Sequence, residues 1–157
     1  MISVSIADNQ SSMPVDRGWF RDLVRFVCER EGIDQAKIGL AFLDDAEIHR
    51  LNRRFLDHDY PTDVLTFPMA TGKKLEAEIA LSTEYAAREA VTYDWPAHVE
   101  ASLYVVHGVL HLAGYDDGDE KEKTRMEARQ QELLAEFRAG RAEAPYREVP
   151  AFAPEAS

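Results

Sequence analysis

The sequence predicts an α+β domain, four short strands and about five helices, and three observations carry that prediction. Apolar and polar residues alternate with period two over residues 2–6, 37–43 and 75–81, and residues 62–68 form a further β-type run. Between and after these runs, apolar residues recur at helical spacing. The second half of the chain carries a central helix pair and a terminal helix, an order that gathers helices on a small sheet.

Taken in order, Ile2, Val4 and Ile6 form the inner face of the first strand, and residues 8–12 read as a turn. Trp19, Phe20, Leu23, Val24, Phe26 and Val27 mark a helix over 15–31 that Gly32 closes, an aromatic stripe whose spacing is that of core packing. Ile38, Leu40 and Phe42 share one face of the second strand. Asp44, with Glu47 three positions on, has the form of a capping box and starts a helix to about Phe55. Residues 56–61 have no period and read as a loop; Pro68 is expected to stop the third strand, and Thr71-Gly72-Lys73 to turn into the fourth. Ser82 is placed to cap a helix over 83–91, a break near residues 93–96 precedes a longer helix to about Ala113, and Asp117 or Asp119 caps the last, to about Arg138. Met126, Leu133, Leu134 and Phe137 form its apolar side.

A chain of 157 residues, 45% hydrophobic and 30% charged, fits one globular domain, read as 1–139, with a mobile or loosely docked tail over 140–157 carrying Pro145, Pro150 and Pro154. No apolar run reaches the ~20 residues of a membrane span, and the opening Met-Ile-Ser-Val-Ser-Ile-Ala-Asp lacks a basic or long apolar leader, so a cytoplasmic location is expected. Cys28 is the one cysteine, which excludes an intrachain disulfide and a multi-cysteine zinc cluster; in its apolar helical setting it reads as a buried, inert thiol. The net charge of −11 argues against non-specific nucleic-acid binding but leaves room for a local basic groove, and Arg50, Arg53 and Arg54 cluster where a polyanion would enter. A solvated helix face accounts for the same arginines.

Chemistry concentrates in residues 107–117, His-Gly-Val-Leu-His-Leu-Ala-Gly-Tyr-Asp-Asp. Imidazoles four positions apart on a helix project from one face and can share one ion. Gly114 suits the left-handed residue that ends a helix, so the chain can fold back and bring Asp116 or Asp117 to the rings. A position six beyond the second histidine resembles the extended zinc motifs of metalloproteases, which favours Asp117; Asp116 would then hydrogen-bond around the ligands or hold the turn. Capping or turn formation is the plain alternative for Asp117. Three protein ligands are the usual complement of a catalytic zinc, so the expected cofactor is one Zn²⁺ per chain. Gly108 stands where the protease motif H-E-x-x-H carries its general base, which argues against peptide hydrolysis.

Residues 107–117 resemble the HGxLHLxGYDH signature of the YbeY family of bacterial rRNA-maturation endoribonucleases. Pro61-Thr62-Asp63-Val64-Leu65-Thr66-Phe67-Pro68 is close to that family's PTDVLSFP, Leu51-Asn52 agrees with its usual helix end, and Glu78-Ile79 is similar to its Gly-Asp-Ile strand. In order and spacing the likeness covers roughly residues 4–137. It implies a small mixed sheet flanked by helices, of zinc-metallohydrolase type. The implied activity is a zinc-dependent, single-strand-specific endoribonuclease acting on the 3′ end of small-subunit rRNA and in ribosome quality control. Single-stranded RNA, rRNA and the small ribosomal subunit are the implied partners. Three histidines hold the metal in that family; His107 and His111 match two, and Asp117 replaces the third. The family's arginine before PTDVLSFP aligns with Leu56, and Arg53, three residues earlier, is the expected substitute if the helix reaches that far. His58 is a second candidate for a cation or proton carrier, and Thr62 and Asp63 are candidates for the border of a substrate groove. His49 and His98 are read as surface residues. The altered ligand and the missing arginine leave one alternative: a catalytically weak, ribosome-associated binding module that keeps the metal site.

Overall fold

Four strands in the order β1-β2-β4-β3 form the central sheet of the computed structural model, which describes residues 1–58, 60, 62–71 and 74–141. β1 (Ile2–Asn9), β2 (Ala36–Leu43) and β4 (Leu75–Ser82) are parallel, and β3 (Val64–Ala70) lies antiparallel to β4 at the edge. The sheet is therefore mixed, and five helices flank it: α1 (Arg17–Arg30), α2 (Asp45–Leu56), α3 (Thr83–Tyr93), α4 (Ala97–Leu112) and α5 (Glu120–Arg141). This is the α+β architecture that the sequence predicts.

Registers of the three parallel strands align Ile6 with Leu40 and Leu40 with Ile79, so one sheet face is an apolar surface. α1 and α4 cover it and bury Phe20, Leu23, Val105 and Val109 with it in the main core. On the opposite face, α2 closes a smaller cluster through Ile48 against Leu43, Leu65 and Ala80. α4 touches α1, α3, α5, β3 and β4, so nearly its whole circumference is buried, as its run of Val, Leu, Ala and Tyr allows.

Side-chain caps fix where the helices begin. Asp16, Asp44 and Ser82 accept from the backbone N–H groups of Trp19, Glu47 and Tyr85. Asp119 accepts from Glu122 N at 2.7 Å, so the cap of α5 is Asp119 and Asp117 is left for another role. Arg129 to Glu31 and Arg30 to Glu136, each at 2.8 Å, tie α5 to the end of α1.

Five local readings are corrected. β1 continues to Asn9 because its pairing with β2 runs to Leu43, and the turn is made beyond it by the Gln10 amide, which accepts from Ser12 and Met13 N–H. Pro68 does not end β3: an edge strand tolerates a residue without N–H, and the ladder adjusts by a register shift between Pro68 and Ala70. α2 extends through Leu56 to a left-handed cap at Asp57, φ 58°, and α5 runs through Arg141. His98 is not a surface residue. It is 5% exposed, edge-to-face with Trp19 at 5.8 Å, because α1 covers that side of α4.

Cys28 is buried, and burial pushes its thiol up to about 12. Residues 142–157, like Gly72 and Lys73 of the expected turn, lie outside the described residues.

Candidate metal centre

α4 presents His107 and His111 from one face, their ring centroids 4.7 Å apart and their planes at 84°. The chain then reverses as predicted: Gly114 has φ +107°, and Tyr115 N–H reaches back to Leu110 O at 3.0 Å. Asp116 accepts from Asp117 N–H at 2.7 Å and so shapes the returning turn. Oδ2 of Asp117 arrives 3.8 Å from Nε2 of His111, and one donor atom from each of His107, His111 and Asp117 lies within 4.8 Å of the others.

Each imidazole is oriented through its other nitrogen. Nδ1 of His107 donates to Oε1 of Gln130 at 2.5 Å, and Nδ1 of His111 donates to the Tyr115 carbonyl at 3.2 Å. Two acceptors at Nδ1 select the tautomer with a bare Nε2, the form that ligates a metal. Tetrahedral zinc with bonds of ~2.0–2.2 Å spaces its donors roughly 3.4 Å apart, close to the His111–Asp117 separation. Two imidazole nitrogens and a carboxylate oxygen thus fit a divalent ion with an open position.

Gly108 has a packing reason. A Cβ there would lie 2.9 Å from Cδ1 and 3.1 Å from Cγ2 of Ile79, so any side chain at this position requires the Ile79 side chain to give way.

A cleft of about 710 Å³ leads away from His107 and Asp117 and is lined by Asp63, Tyr85, Trp95, Glu100 and Tyr104 as well as by α5. Glu100, 4% exposed, accepts from Trp95 Nε1 at 2.8 Å, and burial raises its carboxyl above the usual range. Burial likewise raises the Tyr104 hydroxyl.

Of the other candidates, Asp63 lines the cleft, and its Oδ1 accepts from Val64 N–H at 2.7 Å and from the Thr62 hydroxyl at 3.2 Å. Thr62 thus stands beside the cleft wall. Arg53 and His58 do not line it: α2 covers the sheet face opposite α4, and His58 stacks on Tyr60 at 5.4 Å. Arg53 does share a helical segment with Leu56, three residues on. Sequence reasoning missed Glu100 and Tyr104, although 100, 104, 107 and 111 follow one helical face. Gln130 left no local signal, since only the docking of α5 on α4 brings it to His107.

A family model described as endoribonuclease YbeY matches residues 4–138 of this sequence. The chain belongs to the endoribonuclease YbeY family. Among its YbeY relatives, the endoribonuclease YbeY of Salinibacter ruber is 34% identical over 140 residues, covering 83% of this chain and 89% of that one. The endoribonuclease YbeY of Pelotomaculum thermopropionicum is 36% identical over 143 residues, covering 83% and 94%. The solution structure of a Thermotoga maritima protein matches with a TM-score of 0.64 at 26% identity, over 92% of this chain and 94% of that one. Within this YbeY-type fold, the group placed to hold a metal ion is His107, His111 and the carboxylate of Asp117.

Proposed function

We propose that this YbeY-family chain is a metal-dependent, single-strand-specific endoribonuclease that matures the 3′ end of small-subunit rRNA, with His107, His111 and Asp117 holding one zinc ion. The carrying observation is the convergence of a carboxylate oxygen with two imidazoles whose Nδ1 atoms are already engaged. A bound zinc supplies a Lewis acid and a water of lowered pKa. Gln130 and the Tyr115 carbonyl hold the rings, Asp116 holds the turn that presents Asp117, and Asp63 borders the space where the strand lies. Asp117 brings a negative charge where an imidazole brings none, which lowers the net positive charge of the centre. The same reading makes single-stranded RNA and the small ribosomal subunit the partners and the cytoplasm the place of action. No helix among the described residues is long and apolar enough to cross a membrane.

A second reading, a ribosome-associated module with little hydrolysis, draws on Leu56, which is exposed at the end of α2 and which the resemblance aligns with the family's arginine. Cleavage of a single-stranded RNA by the wild type, compared with His111→Ala, separates the two. Metal-dependent cleavage lost in the variant is the expected result. Absence of cleavage by the wild type with every divalent metal tried would overturn the enzyme and favour the module.

A further inference from the structure

The cleft that begins at His107 has a second end built from groups that metal binding leaves unused. Glu100, Tyr104 and His107 follow one another along α4 at i, i+4 and i+7, which places Glu100 ~10 Å from His107 along the helix axis. One or two nucleotides of an extended strand bridge that interval. The chemistry of this end says which part of a nucleotide it takes. Asp63, Glu89, Glu100 and Glu127 line the cleft against one lysine, Lys123, so a phosphate is repelled and a neutral group is admitted.

Aromatic side chains make that neutral group planar. Tyr93, 62% exposed, and Trp95 both line the cleft with centroids 6.4 Å apart and planes tilted by 54°. The two rings are not stacked on each other, so each keeps a face for a flat ligand. At the floor, the Tyr104 hydroxyl is buried, with its residue 4% exposed, and it interacts with the Glu100 carboxyl beside it. Trp95 engages one oxygen of the adjoining carboxyl, and the group as a whole is an acceptor.

We propose that this end of the cleft is a base-binding subsite in which Trp95 and Tyr93 stack a nucleobase of the RNA and Glu100 accepts its exocyclic amine. The inference rests on RNA being the substrate. Adenine, guanine and cytosine carry such an amine; uracil carries a carbonyl there, which a carboxyl oxygen repels. These residues choose which base sits near the cut and touch none of the reacting atoms.

Fluorescence titration of the full-length chain with free nucleosides tests the subsite without requiring cleavage. Trp19, the other tryptophan, is 1% exposed and donates to Ser102, so a change on titration reports Trp95. Adenosine, guanosine and cytidine are expected to change the emission, with uridine binding about fivefold more weakly, the worth of one net hydrogen bond. Glu100→Gln, which retains an oxygen for Trp95 but adds an amide donor for the uracil carbonyl, is expected to narrow that gap. Tyr93→Ala alters an exposed ring and is expected to weaken all four several-fold while leaving the thermal midpoint unchanged. No response to any nucleoside, equal binding of uridine and cytidine to the wild type, or equal binding of ribose 5-phosphate would overturn the proposal. Selective nucleoside binding in a chain that cleaves no RNA would support the subsite and remove the nuclease reading. Cleavage without base selectivity would do the reverse.

Discussion

Oε1 of Gln130, on α5, lies 2.5 Å from Nδ1 of His107, on α4, and thereby decides which nitrogen of that ring faces the cleft. Gln130→Leu is expected to weaken zinc binding by about 10- to 100-fold, because the ring loses both its orientation and its fixed tautomer. Gln130→Glu retains the acceptor and is expected to restore the affinity. Competition with a chelator of known strength measures both, and equal affinity for wild type and Gln130→Leu would show that the contact does not serve the metal.

Asp117 can be tested by comparing two replacements. Asp117→Ala leaves His107 and His111 as the protein donors, and stoichiometric zinc should be lost on gel filtration. Asp117→His should retain it, and its cleavage profile should move to lower pH, since a neutral ligand leaves more positive charge at the centre. Elemental analysis showing full zinc in Asp117→Ala would remove this carboxylate from the ligand set.

Close contact between Gly108 and Ile79 makes a further prediction, about stability. Alanine improves helix propensity by about 1 kcal/mol, but its methyl would enter space held by Ile79, and overpacking costs about 1–3 kcal/mol. Gly108→Ala should therefore lower the urea midpoint with an unchanged m-value. A raised midpoint would mean that α4 does not lie so close to β4.

Acid stability should depend on His98. Burial, reinforced by the Arg138 charge, lowers its pKa from 6.5 to about 4. Between those values the unfolded chain binds a proton that the folded chain does not, so stability rises with pH across the window and is lost on acidification, by up to ~1.4 kcal/mol per pH unit. His98→Phe should flatten this part of the curve of unfolding free energy against pH. An unchanged slope would contradict the assignment.

The sequence by itself determined what local geometry controls. Spacing of four put His107 and His111 on one face, Gly114 reversed the chain, and Asp44 and Ser82 capped their helices, because each outcome depends on residues within about one helical turn. Period-two runs gave the strands, though neither their order nor their full length.

Tertiary structure decided the rest, through contacts between segments distant in the chain. Pairing with β2 lengthened β1 past its expected turn, and the edge position of β3 let Pro68 remain inside the strand. The packing of α1 against α4 buried His98. At the site, Asp119 took the cap of α5 and left Asp117 beside His111, while the docking of that helix carried Gln130 to His107. A histidine pair four residues apart is written in the chain, but the nitrogen each ring offers is set by an acceptor from the folded surroundings, Gln130 for His107 and the Tyr115 carbonyl for His111.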